Sequence, residues 1–568
     1  MQPMNSRMMI KDAAGGQFRF DFVTGRRYSV DSRIDWRWRD EGWPLLLSAV
    51  LCVVVLGWVA WRKLWLFWLD EAMLIVSIQH VRDFSGLFGP LPLYDQGGPI
   101  GLLAVSWGLA KAGLPLFTQK LLPLAAGFAT VWAVAAAARR SGFGAVATGF
   151  AVFVLVGTTE FSSAFGDFKQ YAFDMLAVSL LLLAAVSERR AAGVLLVLAC
   201  AVGAVFSFVA PVLLVMLPFL YRRVGTPLLV LAGVLLAGFF LGSYLLYVAD
   251  ALRFQMGNYR DVYGEGFLSL SAESIRPAAR LLMSHVPTIS GRTPAFQILF
   301  VLVALLGTGV AVFRRERAGL MFVAVLAVMG GLSLLHLYPL LPGRYTDYLG
   351  CFTALMAGRA VAWAGGILRW PGVRLPPGIV QGARGLALVA PVVLVGFGLA
   401  VFVREGGWKS AIGQLPLSSL AAAERVRADA VVPVSLAQPQ FDLVRERVRG
   451  PRVIEADTRS GTTVAEEEML HDPDAAMERP GSWALLMKLE QVRFGWRKVG
   501  SGIDSSLYFG WLLGRIEDLH RVVLIAPTCL LPYGVDFGEL TGRLAERGAV
   551  EELEGTPCYR TLLWTRHR

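Results

Sequence analysis

The stretch Leu64–Val76, "LWLFWLDEAMLIV", sets two adjacent carboxylates, Asp70 and Glu71, in an otherwise apolar run. A carboxylate beside hydrocarbon is costly unless it is solvated, paired or functional. Upstream, residues 43–61 form an apolar run of membrane-spanning length, and comparable runs recur as far as Val403. The chain of 568 residues is 55% hydrophobic and only 17% charged, with a mean hydropathy of +0.54. A soluble protein would carry about a quarter of its residues as Asp, Glu, Lys and Arg. The expected fold is a polytopic α-helical membrane protein. It divides into an N-terminal cytoplasmic segment (1–42), a transmembrane domain (43–403) and a small soluble α/β domain (404–568). The first 42 residues are polar and lack an early apolar core, so no cleavable signal peptide is expected.

The net charge of +11 belongs to the membrane and not to nucleic acid, because much of the Lys and Arg lies in short loops between apolar runs. Arg19, Arg26, Arg27, Arg33, Arg37 and Arg39 precede the first run and place the N-terminus in the cytoplasm. Arg139-Arg140, Arg189-Arg190, Arg222-Arg223, Arg314-Arg315 with Arg317, and Arg369 with Arg374 mark the other inner loops. Between them lie expected spans near 119–138, 143–159, 171–187, 191–209, 210–221, 226–248, 295–313, 318–338, 345–363 and 386–403. With 43–61 this makes about eleven crossings, an odd number that puts the tail outside. The expected location is a bacterial inner membrane with the C-terminal domain periplasmic. Pro99–Gly113 is apolar but short for a span, and it reads as a juxtamembrane or re-entrant helix on the outer side. Asp70, Asp95, Lys120, Asp174 and Arg344 then share the external face.

An outer Asp-Glu pair after the first span is followed by "YDQGGPIGLL", "KLLPLAAGFATVWAVAAAARRSGFGAVATG", "FKQYAFDML" and, late in the chain, "YPLLPGRYTDYLG". This ordered set, over residues 60–350, resembles the GT-C glycosyltransferases. It is most similar to the branch holding protein O-mannosyltransferases and the lipid A aminoarabinose transferase. The resemblance implies many membrane helices, a periplasmic active site, a hexose or pentose donor on a polyprenyl phosphate, and inverting transfer to a glycan, lipid or protein hydroxyl. It requires no cofactor; a divalent cation stays open, since the Asp472-Pro-Asp474 cluster in the tail is ordinarily solvated surface.

The chemistry explains the same residues. An acceptor hydroxyl loses a proton as it attacks, and a carboxylate within reach can take it. A departing phosphate needs cations. Asp70 reads as the general base, with Glu71 beside it and Asp174 as a further acid at the site; the bland alternative for the pair is a solvated helix end. Asp174 alternatively is a first-turn Asp favoured by the helix dipole and paired with Lys169. Lys120, Lys169 and Arg344 are assigned to the donor phosphate, against a reading as interfacial anchors. Asp95, Gln96, Tyr171 and Tyr345 are assigned to substrate, although Asp95 before Gly-Gly-Pro also suits a turn. His336 reads as structural. The rival from another class is a non-catalytic lipid-linked-sugar transporter or assembly factor with the same fold. A transporter needs polar residues across both leaflets, whereas here they gather at one face.

In the tail, "RADAVVPVS" and "RVVLIAP" read as strands, "QPQFDLVRERVRG" and "DFGELTGRLAERG" as helices, and "AVEELEGTPCYRTLLWT" as terminal strand material. Cys529 follows "RVVLIAP" and Cys558 lies in the terminal segment, in a compartment that permits disulfides; a bridge between them and two unrelated thiols both stay open.

Overall fold

A computed structural model describes residues 7–11, 17–21, 26–29, most of 53–89, 97–158, most of 161–243, 267–269, 294–338, 346–368, 417–433, 451–453, most of 512–527, 537–555 and 559–567, with single residues between. The N-terminal segment holds an antiparallel meander of β1 (Arg7–Lys11), β2 (Gln17–Asp21) and β3 (Arg26–Ser29). It was not expected from the sequence. The signals were there: "QFRFD" alternates, and Gly15-Gly16 and Gly25 punctuate the strands.

The apolar region is built from helices α1 (Leu69–His80), α2 (Ile100–Lys111), α3 (Leu121–Arg140), α4 (Ala145–Val156), α5 (Tyr171–Val186), α6 (Arg189–Val205), α7 (Ala210–Met216), α8 (Thr226–Ser243), α9 (Pro294–Phe313), α10 (Arg317–Leu334) and α11 (Leu349–Leu368). At about 1.5 Å per residue, 20-residue α3 covers about 30 Å, a bilayer's hydrocarbon thickness, and 12-residue α2 only about 18 Å. Among the described residues, three helices are long and apolar enough to cross by themselves: Leu116–Arg140, Thr226–Ser243 and Arg317–Leu334. The piece expected as a span at 210–221 is α7 followed by a tight 3-10 turn, Leu217–Leu220, with Pro211 and Pro218 at the starts of the two pieces. The first expected span is described only in part, and 386–403 lies outside the described residues.

Two ends of the bundle are defined by the chain itself. Helix α3 begins after Lys120 and finishes at Arg139-Arg140. Helix α5 begins beside Asp174 and finishes at Ser187, whose hydroxyl accepts from Arg140. Arg317, starting α10, donates to the Ala185 carbonyl (2.9 Å), and Arg359 on α11 pairs with Glu316. One end therefore carries the arginines. At the other, Ser207 after α6 meets Asp174 at the start of α5, and Cys351 at the start of α11 meets the Met175 carbonyl.

Helices touch closely where small residues allow it, as membrane packing requires. An added Cβ at Gly307 of α9 would lie 1.7 Å from the Met356 carbonyl oxygen of α11. At Gly358 it would lie 2.8 Å from the Ala151 Cβ and 2.9 Å from the Ala147 carbonyl oxygen of α4. The outward faces stay apolar: Val194, Val197 and Leu198 on α6, and Val230, Val234 and Phe239 on α8, are exposed.

α1 and α2 do not join the spans side by side. Leu74, Ile75 and Ile78 of α1 and Leu102 and Leu103 of α2 pack on Ala126, Ala172 and Phe173, the first turns of α3 and α5. The Trp107 indole donates to the Val81 carbonyl (3.1 Å), tying the pair together. They form an apolar platform at the end away from the arginines.

In the tail a five-stranded sheet has the order β5 (Arg452–Val453), β4 (Ala430–Pro433), β6 (Arg521–Pro527), β8 (Tyr559–Arg566), β7 (Gly548–Gly555). β4 runs parallel to β5 and β6; β8 is antiparallel to both β6 and β7. Val522, Leu524 and Ala526 pack with Leu540 and Leu544 of α13 (Phe537–Ala545), and Val523 and Ile525 with Ala423 of α12 (Leu417–Arg425). Both faces are covered, which is why "RVVLIAP" is apolar without alternation. The helix expected over "QPQFDLVRERVRG" lies mostly outside the described residues.

Candidate active site

Asp70 and Glu71 occupy the first turn of α1, a helix whose apolar side lies on the platform. Glu71 points inward and is 1% exposed. Its Oε2 accepts from Lys120 Nζ at 2.9 Å, and its Oε1 accepts from the Phe168 backbone N–H. Lys120, expected as an interfacial cation for phosphate, is itself 1% exposed, and its ammonium lies 4.6 Å from the centre of the Phe67 ring. Burial raises the Glu71 carboxyl above its ordinary range; the Lys120 charge and the Phe168 N–H oppose that, and Asp167 adds to it. The pair joins the start of α1, the start of α3 and the turn before α5 at one point.

Lys169 and Tyr171 follow Phe168 directly, both buried. Asp174, one turn into α5, accepts from the Ser207 hydroxyl at 2.5 Å. Ser207 in turn accepts from the Val209 N–H at 2.9 Å, so the α6–α7 corner is shaped around Asp174. Thr346, Asp347 and Tyr348, entering α11, are buried at the same end, and the charges of Asp174 and Asp347 both reach Tyr348. His336 has a left-handed backbone (φ 55°) and packs edge-on against Phe267.

The structure thus brings Glu71, Lys120, Lys169, Tyr171 and Asp174 to one end of the bundle, with Asp70 on the same first turn as Glu71. Asp95, Gln96, Arg344 and Tyr345 lie outside the described residues. Three participants were not singled out in the sequence. Ser207 has no local signal. Asp347 and Tyr348 carry the same signal as Asp174, polar groups opening an apolar run, and stand in the already notable "GRYTDYLG". Among the described residues no three of His, Cys, Asp and Glu gather as a metal would require.

No family model and no curated protein matches the sequence. The fold is similar to that of ArnT from Cupriavidus metallidurans bound to undecaprenyl phosphate, at 15% identity and a TM-score of 0.49, over 92% of this chain and 98% of that one. The apo form of the same protein is similar at 14% identity and 0.48 over the same shares. The archaeal oligosaccharyltransferase AglB from Archaeoglobus fulgidus, in complex with an inhibitory peptide and a dolichol-phosphate, is similar at 12% identity and 0.45, over 92% of this chain and 74% of that one.

Proposed function

We propose that the chain is a multi-pass membrane glycosyltransferase that moves a hexose or pentose from a polyprenyl-phosphate donor to an acceptor hydroxyl at the periplasmic face of a bacterial inner membrane. The observation that supports this best is the gathering of Glu71, Lys120, Lys169 and Asp174, from three separate segments, at the end of the bundle opposite the arginines. A lipid-linked donor lies at a membrane surface, so a base and cations for it belong at one such surface.

In this reading Asp70 takes the proton of the acceptor hydroxyl as that oxygen attacks the anomeric carbon. Glu71 is occupied by Lys120, and the pair fixes the first turn of α1 and with it the position of Asp70. Negative charge developing on the departing phosphate falls to Lys169 and Arg344. Asp174, held by Ser207, lines the acceptor side with Asp95, Gln96, Tyr171 and Tyr345. The test is incubation of the purified protein with a panel of polyprenyl-phosphate sugars, with mass spectrometry of the consumed donor. Asp70→Asn removes the base at nearly constant volume and is expected to lower turnover by ~10²–10⁴-fold. Turnover within a few-fold of wild type would remove Asp70 from this role, and no consumption of any donor would refute the activity.

A further inference from the structure

The arginine end of the bundle divides into two groups. Arg139 donates to the Phe143 carbonyl (3.2 Å), Arg140 to Ser187, and Arg359 to Glu316. Each of these guanidinium groups is held by a protein oxygen, although Arg359 Nε itself has no acceptor among the described residues. Arg189, Arg222, Arg223 and Arg317 are different. The charges of Arg222 and Arg223 act on that of Arg317, and a Cβ at Gly225 would lie 3.8 Å from the Arg189 guanidinium. Four positive groups from the start of α6, the 221–224 turn and the start of α10 thus converge. Among the described residues no carboxylate pairs with any of them, and Arg223 Nε is buried without an acceptor. Arg317 makes one bond, to the Ala185 carbonyl.

Loop arginines that only set topology can splay into water. Here Arg223 and Arg317 are half-buried beside exposed Arg189 and Arg222, with Arg317 tied to the Ala185 carbonyl. Such an arrangement is completed by an anion with several acceptor oxygens, which a planar guanidinium grips two at a time. The surroundings select its source. From the cluster an exposed apolar strip runs into the membrane along α6 (Val194, Val197, Leu198) and α8 (Val230, Val234), and Tyr221 stands exposed beside Arg222. A free phosphate has no use for that strip, whereas acyl chains attached to the phosphate lie along it.

We propose that Arg189, Arg222, Arg223 and Arg317 bind the phosphodiester of an anionic phospholipid from the leaflet at the arginine end, with its acyl chains against α6 and α8. The site is separate from the proposed catalytic end and does not depend on glycosyl transfer. Bound lipid joins three segments that lie far apart along the chain, with helices between them.

The full-length protein is placed in nanodiscs of phosphatidylcholine with a small fraction of phosphatidylglycerol, and retained lipid is read by native mass spectrometry. Wild type is expected to retain phosphatidylglycerol, and Arg222→Gln/Arg223→Gln/Arg317→Gln to lose at least about tenfold of that retention, the equivalent of one charge-assisted contact. The control Arg425→Gln/Arg543→Gln/Arg547→Gln, of equal charge change in the tail, should retain it. A triple Arg→Lys variant at the three membrane-end positions keeps the charge and covers the case in which the Gln variant does not fold; it should hold the lipid more weakly than wild type. Equal retention by wild type and the Gln or Lys triple overturns the proposal. So does displacement of the lipid by millimolar inorganic phosphate, which would make this a free-anion site, or equal retention of phosphatidylcholine.

Discussion

Lys120→Met tests the Glu71–Lys120 pair directly. The two groups meet at 2.9 Å with each side chain 1% exposed, so bulk water does not reach the contact. Removing one partner of a buried pair typically costs about 3–5 kcal/mol, because the remaining charge is left without compensation. The remaining group is Glu71, whose carboxyl is already raised by burial. In Lys120→Met it should therefore fold protonated. A raised folded-state pKa means that the folded form binds the proton more tightly than the unfolded one. The variant's stability should then be highest below the ordinary carboxylate range, near ~4.3, and fall as pH rises from there through the raised value. Wild type, in which Lys120 opposes the effect of burial on Glu71, should show a smaller fall. In Glu71→Gln/Lys120→Met the uncompensated charge is gone and the amide oxygen still accepts from the Phe168 N–H, so most of the loss should be recovered. The assay is thermal unfolding of the four proteins of this cycle in one lipid composition at several pH values. A Lys120→Met protein within about 1 kcal/mol of wild type, or a double variant whose loss is the sum of the two single losses, would refute a buried ion pair.

Gly307→Ala should destabilise by more than the ~1–3 kcal/mol usual for overpacking, since the new methyl meets the Met356 backbone and not a movable side chain. Gly309→Ala, with nothing within 4 Å, should not, and thermal unfolding of both decides it. Ser207→Ala leaves Asp174 and the Val209 N–H without their shared partner and should cost about 1–3 kcal/mol, with turnover falling further than in a surface Ser→Ala control. Cys529 and Cys558 lie outside the described residues, but the nearby described residues Pro527 and Tyr559 pair in the β6–β8 ladder. Non-reducing peptide mapping with thiols blocked should find them bridged across about 29 residues, worth roughly 3–4 kcal/mol in the chain-entropy model. Both alkylated would remove the bridge.

The helices of the membrane region were legible because their signals are local: apolar runs of fixed length, closed by arginine pairs or turns. The short α2 was legible from length alone. The pairing of Glu71 with Lys120, 49 residues apart, was not, because a carboxylate and an ammonium at a membrane surface each have a solvated reading of their own. Only the fold removes the water and forces them together. Ser207 was invisible for the same reason: its role depends on the α6–α7 corner arriving at α5. In the tail, "RVVLIAP" announced a strand covered on both faces, whereas the alternation of "QFRFD" and its flanking glycines was overlooked beside the arginines that precede the first apolar run.

Among the described residues the outermost strand of the tail sheet, β7, carries Glu551, Glu552 and Glu554, with an irregular register between Glu552 and Glu554; the opposite margin, β5, is two residues long. Copies of a chain anchored in one plane meet far more often than copies free in solution, and open sheet margins are the surfaces on which they would stick. Acidic side chains repel a second identical margin, an interrupted ladder spoils its register, and a two-residue strand offers almost no template. The tail can therefore stand crowded against its own kind on a membrane without zipping into a continuous sheet.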